Sequence, residues 1–239
     1  MKVLNDLVGY KNLKIYQDTD WFLFSLDSIL LPNFVTINKT IGNVLDLCTG
    51  NAPIPMILST KTKANIIGVE IQKDIYELAL DSIKLNKLEN RIDIINDDIK
   101  NLKFKFSGDS FDVITCNPPY FKYCTTSHLN EDEHKIIARH EKMITLAQIV
   151  NLSKYLLKNN GVLAIVHRTD RLIEIITEFQ KNNIQVKKIR FVYPKVGSDS
   201  NIVLVEGRKN GNPGLKILSP LYVHNNDGSY TEEVLQMFK

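Results

Sequence analysis

The 239-residue sequence predicts an α/β fold, a mostly parallel sheet with helices on both faces that ends in an antiparallel hairpin. Two observations predict it. Short runs rich in Ile and Val, bounded by turn residues, alternate with longer amphipathic segments. Strands buried on both faces and joined by crossover helices show this pattern. Near the C-terminus, two strand-like runs are separated by only PKVGSDS. That gap is too short for a crossover helix, so the two runs should pair antiparallel.

Residues 43–47 (NVLDL), 65–69 (NIIGV), 91–95 (RIDII), 111–116 (FDVITC) and 161–167 (GVLAIVH) are the expected parallel strands. Between them, 53–61, 73–86, 144–158 and 170–182 carry apolar residues at helical spacing; in 73–86 Ile75, Leu78, Ala79, Ser82 and Leu85 fall on one face. The hairpin is expected from 185–193 and 201–207. Residues 1–40 precede the first sheet strand and contain WFLFSLDSILL, too apolar for a linker. The expected organisation is an N-terminal extension, 1–40, packed on a single domain, 41–239.

Composition narrows the class. Hydrophobic residues make up 44% and charged residues 24%, which excludes a disordered or collagen-like chain. There is no run of about 18 apolar residues to span a membrane and no secretory signal at the start. Cys48, Cys116 and Cys124 form no CxxC, which argues against a disulfide framework or structural zinc and for a cytoplasmic location. Thirty Lys and Arg against 27 Asp and Glu give a net charge of +3. The basic residues cluster locally, at Lys103 and Lys105 and at Lys187, Lys188, Arg190 and Lys195, where phosphates could be met. No obligate protein partner is evident.

Ligands of open α/β sheets bind beyond the carboxyl ends of the strands, so the residues there matter most. The first strand runs into Asp46-Leu47-Cys48-Thr49-Gly50-Asn51-Ala52-Pro53, a small-residue turn entering a helix. It is neither the GxGxxG dinucleotide fingerprint nor a GxxxxGK[ST] phosphate loop. The second strand leads to Glu70, an acid placed to accept ribose hydroxyls, and the third to Asn96-Asp97-Asp98-Ile99, where a carboxylate can accept an adenine amine. Turn, ribose acceptor and adenine acceptor on successive strand ends describe an adenosine-containing ligand.

The fourth strand ends in Asn117-Pro118-Pro119-Tyr120. This quartet suits an amine or amide nitrogen conjugated to a planar π system. The Asn117 carbonyl and the Pro118 backbone C=O can each accept an N–H, Pro119 keeps that carbonyl out of any ladder, and the Tyr120 ring can stack on the substrate. Such acceptors stabilise charge that builds on the attacking nitrogen.

These residues resemble the class I S-adenosylmethionine-dependent methyltransferases, in the amino-methylating group marked by (D/N/S)PP(Y/F). The resemblance implies a Rossmann-like seven-stranded sheet with one antiparallel strand. It assigns Asp46, Cys48, Thr49 and Gly50 to the methionine end of S-adenosylmethionine, Glu70 and Ile71 to the ribose, and Asp98 and Ile99 to the adenine, with Asp97 the alternative. Asn117, Pro118, Pro119 and Tyr120 would be catalytic, Asn117 also bordering the cofactor. The usual DxGxGxG pattern is altered, Cys48 and Ala52 standing where two glycines are usual.

FLFSLDSILL, DLCTGNAPIP, CNPPYF, ARHE and YPKVGSDSNIVLVEGRKNG, in that order, are similar to segments of the bacterial tRNA1(Val) adenine-N6-methyltransferase family. That resemblance implies tRNA as partner and an unpaired adenosine, position 37, as target. Alternatives are glutamine methylation in a protein, guanine-N2 methylation in rRNA, and a non-catalytic RNA-binding protein on the same fold. The first is disfavoured because its relatives carry a larger helical domain before the first strand. Intact NPPY argues against the last, and an NAD-dependent dehydrogenase lacks its Gly-rich fingerprint. His128, His134 and His140 flank the loop after NPPY, but Cys124-x3-His128 is not a metal-ligand spacing, so no metal is expected. The loop 121–140 is a candidate for gripping substrate.

Overall fold

The structure, a computed structural model, describes residues 1–7, 10, 12–18, 25–38, 40–118 and 144–238. The chain opens with an antiparallel hairpin, β1 (Lys2–Asp6) and β2 (Lys14–Asp18), and a short helix, α1 (Asp27–Phe34). Then come β3 (Asn43–Leu47), α2 (Pro53–Lys61), β4 (Asn65–Glu70), α3 (Lys73–Leu85) and β5 (Ile92–Asn96). A 3-10 turn (Ile99–Asn101) and α4 (Leu102–Lys105) lead to β6 (Phe111–Cys116). The second half holds α5 (Leu146–Leu156), β7 (Leu157–Arg168), α6 (Leu172–Lys181), β8 (Ile184–Lys195) and β9 (Ile202–Lys209). Two short strands, β10 (Lys216–Ile217) and β11 (Leu221–His224), and α7 (Glu232–Met237) complete it.

Seven strands form the expected sheet in the order β5-β4-β3-β6-β7-β9-β8. Only β9 runs against the others, pairing antiparallel with both β7 and β8. β10 and β11 add to the outer edge of β8, both parallel to it, and extend the sheet beyond the seven strands expected. The reach of β7 also differs. Its first residue follows α5 directly, where sequence periodicity carries the helix to residue 158. The pairing with β6 jumps from Phe111↔Leu157 to Val113↔Val162, so Lys158–Gly161 bulges out of the ladder.

Alternate residues of the central strands feed two cores. Val44, Val113, Val162 and Ala164 face α1, α2 and α3. Leu45, Ile114, Leu163 and Ile165 face α5 and α6, where Ile149, Val150, Ile175 and Phe179 pack. A strand buried on both faces has no polar side to alternate with, which is why these segments read as unbroken apolar runs. The N-terminal residues join the first core through Leu7, Ile15, Ile29, Leu30 and Leu31.

Candidate active site

The strand order reverses between β3 and β6, and open sheets leave a ligand crevice at such a switch point. Asp46 of β3 is in register with Thr115 of β6 across it. The Thr115 hydroxyl donates to Asp46 Oδ1 and the Thr49 hydroxyl to Oδ2, each at 2.6 Å. Asp46 is fully buried. Burial pushes its carboxyl up to about 7; the two hydroxyls oppose the rise and the neighbouring Glu70 charge adds to it.

The turn after Asp46 places Cys48, Gly50 and Ala52 at φ of 57°, 59° and 69°. These are the three positions at which the DxGxGxG pattern carries glycine, and all three are left-handed although two of them carry a side chain. Left-handed backbone costs an L-residue roughly 1–2 kcal/mol, which Cys48 and Ala52 bear. A Cβ on Gly50 would meet nothing within 4 Å, so the turn borders open space. The turn is pinned to β4: Thr49 N–H donates to the Val69 carbonyl at 3.0 Å, and Gly50 N–H to Glu70 Oε2 at 3.0 Å.

Glu70 is 5% exposed, and its Oε1 accepts from the Gln72 N–H at 2.9 Å. Burial raises its carboxyl above the ordinary range, and the N–H donors of Gln72 and Gly50 pull it back. Ile71 beside it is among the large apolar residues left exposed. At the end of β5, Asp97 is engaged by its own chain: Asn101 Nδ2 donates to Oδ1 at 2.8 Å and Lys105 Nζ pairs with Oδ2 at 2.7 Å. Asp98 Oδ1 caps the 3-10 turn by accepting from Lys100 N–H at 2.9 Å, while Oδ2 has Lys100 Nζ at 3.6 Å. Ile99 is buried behind them.

β6 delivers Asn117 and Pro118 to the same edge, directly after Cys116. The Asn117 Nδ2 donates to the hydroxyl of Ser28 in α1 at 3.3 Å. Burial raises the Cys116 thiol, with the adjacent Cys48 and Asp46 adding to the shift; it packs as part of the second core. Pro119, Tyr120, the loop 121–140, and Cys124, His128, His134 and His140 lie outside the described residues, as do Ala138–Glu141 of the ARHE segment.

Two further contacts were not legible in the sequence. Ser28 is buried at the site although it lies 89 positions before Asn117. Asn51 Nδ2 donates to the Tyr16 carbonyl at 2.8 Å and so straps the N-terminal hairpin to the turn after β3. An Asn between Gly50 and Ala52 was the only local sign of the second.

The basic clusters are mostly engaged by their own chain. Lys188 pairs with the buried Glu206 at 3.0 Å and donates to the Phe34 carbonyl at 2.7 Å. Arg190 pairs with Glu233 at 2.6 Å, Lys187 donates to the Asn212 carbonyl at 3.1 Å, and Lys105 holds Asp97. Lys188 also stands seven residues before the carboxyl end of β8, about 23 Å along the strand. Lys195, at that end, is exposed, and Lys103 Nζ lies 5.0 Å from the ring centre of Phe104. Among the described residues no helix is long and apolar enough to cross a membrane.

The family model described as "Methyltransferase domain" matches residues 39–216. A protein of Phocaeicola vulgatus named tRNA1(Val) (adenine(37)-N6)-methyltransferase is 25% identical over 201 residues, 84% of this chain and 83% of its own length. A Bacteroides thetaiotaomicron protein of the same name is 25% identical over 233 residues, 97% of this chain and 89% of its own. Among solved structures, a predicted O-methyltransferase from Agrobacterium tumefaciens superposes with a TM-score of 0.70 at 18% identity, covering 89% of this chain and 95% of that one.

Proposed function

The chain belongs to the methyltransferase-domain family, and from that premise we propose that it transfers a methyl group from S-adenosylmethionine to the exocyclic N6 of an adenosine in tRNA, at position 37 of tRNA1(Val). The observation that carries the reading is the convergence of Asp46, Glu70 and Asn117 on the switch-point edge of one sheet. Relatives named for this reaction align with most of the chain. Residues 41–239 would form the catalytic domain and 1–40 an extension packed on it. A tRNA substrate fits a cytoplasmic location.

The residues suit the cofactor. Asp46 is a buried carboxyl whose charged form a cationic ligand would favour, Glu70 is an acid held rigidly by two backbone N–H groups, and the turn at Gly50 borders open space. Asp46, Cys48, Thr49 and Gly50 would hold the methionine end, Glu70 and the exposed face of Ile71 the ribose, and Asp98 and Ile99 the adenine. Asp98 is preferred to Asp97 because both Asp97 oxygens have partners at hydrogen-bond distance, Asn101 and Lys105, whereas Asp98 Oδ2 meets Lys100 Nζ only at 3.6 Å. When bound, S-adenosylmethionine supplies an electrophilic methyl on a sulfonium.

Asn117 acts on the nucleophile. Its Nδ2 is turned to Ser28, which puts Oδ1 on the opposite side of the carboxamide, where it accepts one N–H of the target amine. The Pro118 carbonyl accepts the other, and the Tyr120 ring stacks on the base. Holding both N–H bonds draws electron density onto a nitrogen whose lone pair is otherwise delocalised into the ring. After methyl transfer the nitrogen is cationic and strongly acidic, and water can take its proton. An adenosine in an anticodon loop can be unstacked at low cost, which a paired one cannot.

Labelled S-adenosylmethionine incubated with unmodified total RNA and with protein tests the reading. The expected product is N6-methyladenosine in a valine tRNA, lost when its adenosine 37 is replaced. N2-methylguanosine in rRNA, or methylglutamine in protein, with tRNA unlabelled, would overturn the substrate.

A further inference from the structure

β2 alternates in burial, with Ile15 and Gln17 facing inward and Lys14, Tyr16 and Asp18 outward or to the rim. Ile15 belongs to the apolar core, as an inward position should. Gln17, on the same face, is only 3% exposed. Its Oε1 accepts from Asn5 Nδ2 at 2.6 Å. Its Nε2 has no hydrogen-bond partner. Only one other buried side-chain polar atom among the described residues is in that position, Arg91 Nε. That guanidinium already donates through Nη2 to the carbonyls of Thr62 and Ala64, at the opposite edge of the sheet. A buried amide donor without an acceptor destabilises a protein, and such groups call for an explanation.

Gln17 lies beside the turn after β3. The carbonyl of Tyr16, bonded directly to the Gln17 nitrogen, is the group that accepts from Asn51 of the turn after β3. By covalent geometry the Gln17 Cα lies within about 6 Å of the Asn51 amide, and so beside that turn. The Tyr16 N–H is fixed on the other side by the Ser82 hydroxyl at 2.9 Å, so the strand is held between α3 and the turn.

We propose that Gln17 is a cofactor-binding residue whose Nε2–H donates to the carboxylate of the methionine end of S-adenosylmethionine; this rests on the cofactor assignment above. The chemistry selects the acceptor. At that end of the molecule the ammonium offers only donors and the sulfonium neither donor nor acceptor, so the carboxylate is the one group that can satisfy an amide N–H. The acids at the crevice, Asp46 and Glu70, repel a carboxylate, which therefore needs a donor on the side of the site away from them. Gln17 supplies it from the N-terminal hairpin.

The test is calorimetric titration of S-adenosylmethionine and of its decarboxylated analogue, which lacks only the carboxylate, into the parent chain, Gln17→Met and Gln17→Glu. Gln17→Met should weaken S-adenosylmethionine about tenfold or more, the scale for a hydrogen bond to a charged group, and leave the analogue within about twofold. Gln17→Glu should weaken S-adenosylmethionine further by placing like charges together, again sparing the analogue. The unliganded Gln17→Met protein should melt close to the parent, because losing the buried unpaired donor offsets losing the Asn5 hydrogen bond and the side-chain volume is kept. Equal weakening of both ligands, or unchanged affinity for S-adenosylmethionine, would overturn the proposal. A parent chain that binds neither ligand would overturn the cofactor assignment, and the proposal with it.

Discussion

Replacing Asp46 by Asn probes what a buried carboxylate costs this fold. Its carboxyl is pushed from 3.8 to about 7 by burial. Each unit is 1.36 kcal/mol, so ionising it in the folded state costs about 4 kcal/mol relative to the unfolded chain. The sign follows from the proton count. Between pH 4 and 7 the unfolded chain releases this proton while the folded one keeps it, so stability falls as pH rises and levels off above 7. Asn cannot titrate, and its amide can still exchange hydrogen bonds with the hydroxyls of Thr49 and Thr115. Urea unfolding at pH 5 and pH 8 should therefore show the parent losing about 3 kcal/mol more than Asp46→Asn over that interval. Cofactor affinity should move oppositely. A cationic ligand favours the ionised carboxyl, so affinity for S-adenosylmethionine should rise with pH up to about 7 and then flatten, and in Asp46→Asn it should be weaker and flat. Stability curves of parent and variant that run parallel from pH 5 to 8 would refute the reasoning.

Three other outcomes are expected. Asn117→Ala should keep cofactor affinity within a few fold while methyl transfer falls roughly 100-fold, the scale of a lost transition-state acceptor; transfer at the parental rate would remove Asn117 from catalysis. Ser28→Ala should lower kcat several-fold with the KM for S-adenosylmethionine unchanged, because it removes the hydroxyl to which the Asn117 carboxamide donates; Ser28→Thr, which keeps the hydroxyl, should restore much of the rate. Lys188→Ala should destabilise the chain by about 2 kcal/mol or more, measured by urea unfolding, since it strands the buried Glu206 with only Thr36 as donor. It should leave the salt dependence of tRNA binding unchanged, and a slope reduced by about one would place Lys188 on a phosphate after all.

The parallel strands were legible because their signal is local. Val44, Leu45, Val113 and Ile114 must all be apolar when both faces of the sheet are covered, whatever covers them. The antiparallel β8 and β9 were legible from chain length alone. The N-terminal hairpin was not. β1 leaves Lys2, Leu4, Asn5 and Asp6 exposed, and β2 places a glutamine on its inward face, so neither alternates cleanly between apolar and polar. β11 and α7 are four and six residues long, too short for periodicity to register.

The same distinction runs through the site. Asp46, Glu70 and Asn117 could be named because each stands at the end of a strand whose place follows from element order. The turn between β3 and α2 could be named although it departs from its pattern, since small residues at 48, 50 and 52 suffice to suggest a backbone that does bend left-handed at each. Residues whose roles depend on the other partner were hidden. Lys188 and Arg190 read as a basic patch because their acids come from β9 and α7 and cannot be placed without the fold. Ser28, Asn51 and Gln17 are ordinary polar residues until the hairpin and α1 are laid over the crevice. Once they are, two hydrogen bonds tie the described N-terminal residues to it, from Asn51 to the Tyr16 carbonyl and from Asn117 to the Ser28 hydroxyl. Those residues also bring a buried amide donor that the folded chain leaves unsatisfied. A segment that only shielded the core would have no reason to bury an unsatisfied donor. One that completes a ligand site does.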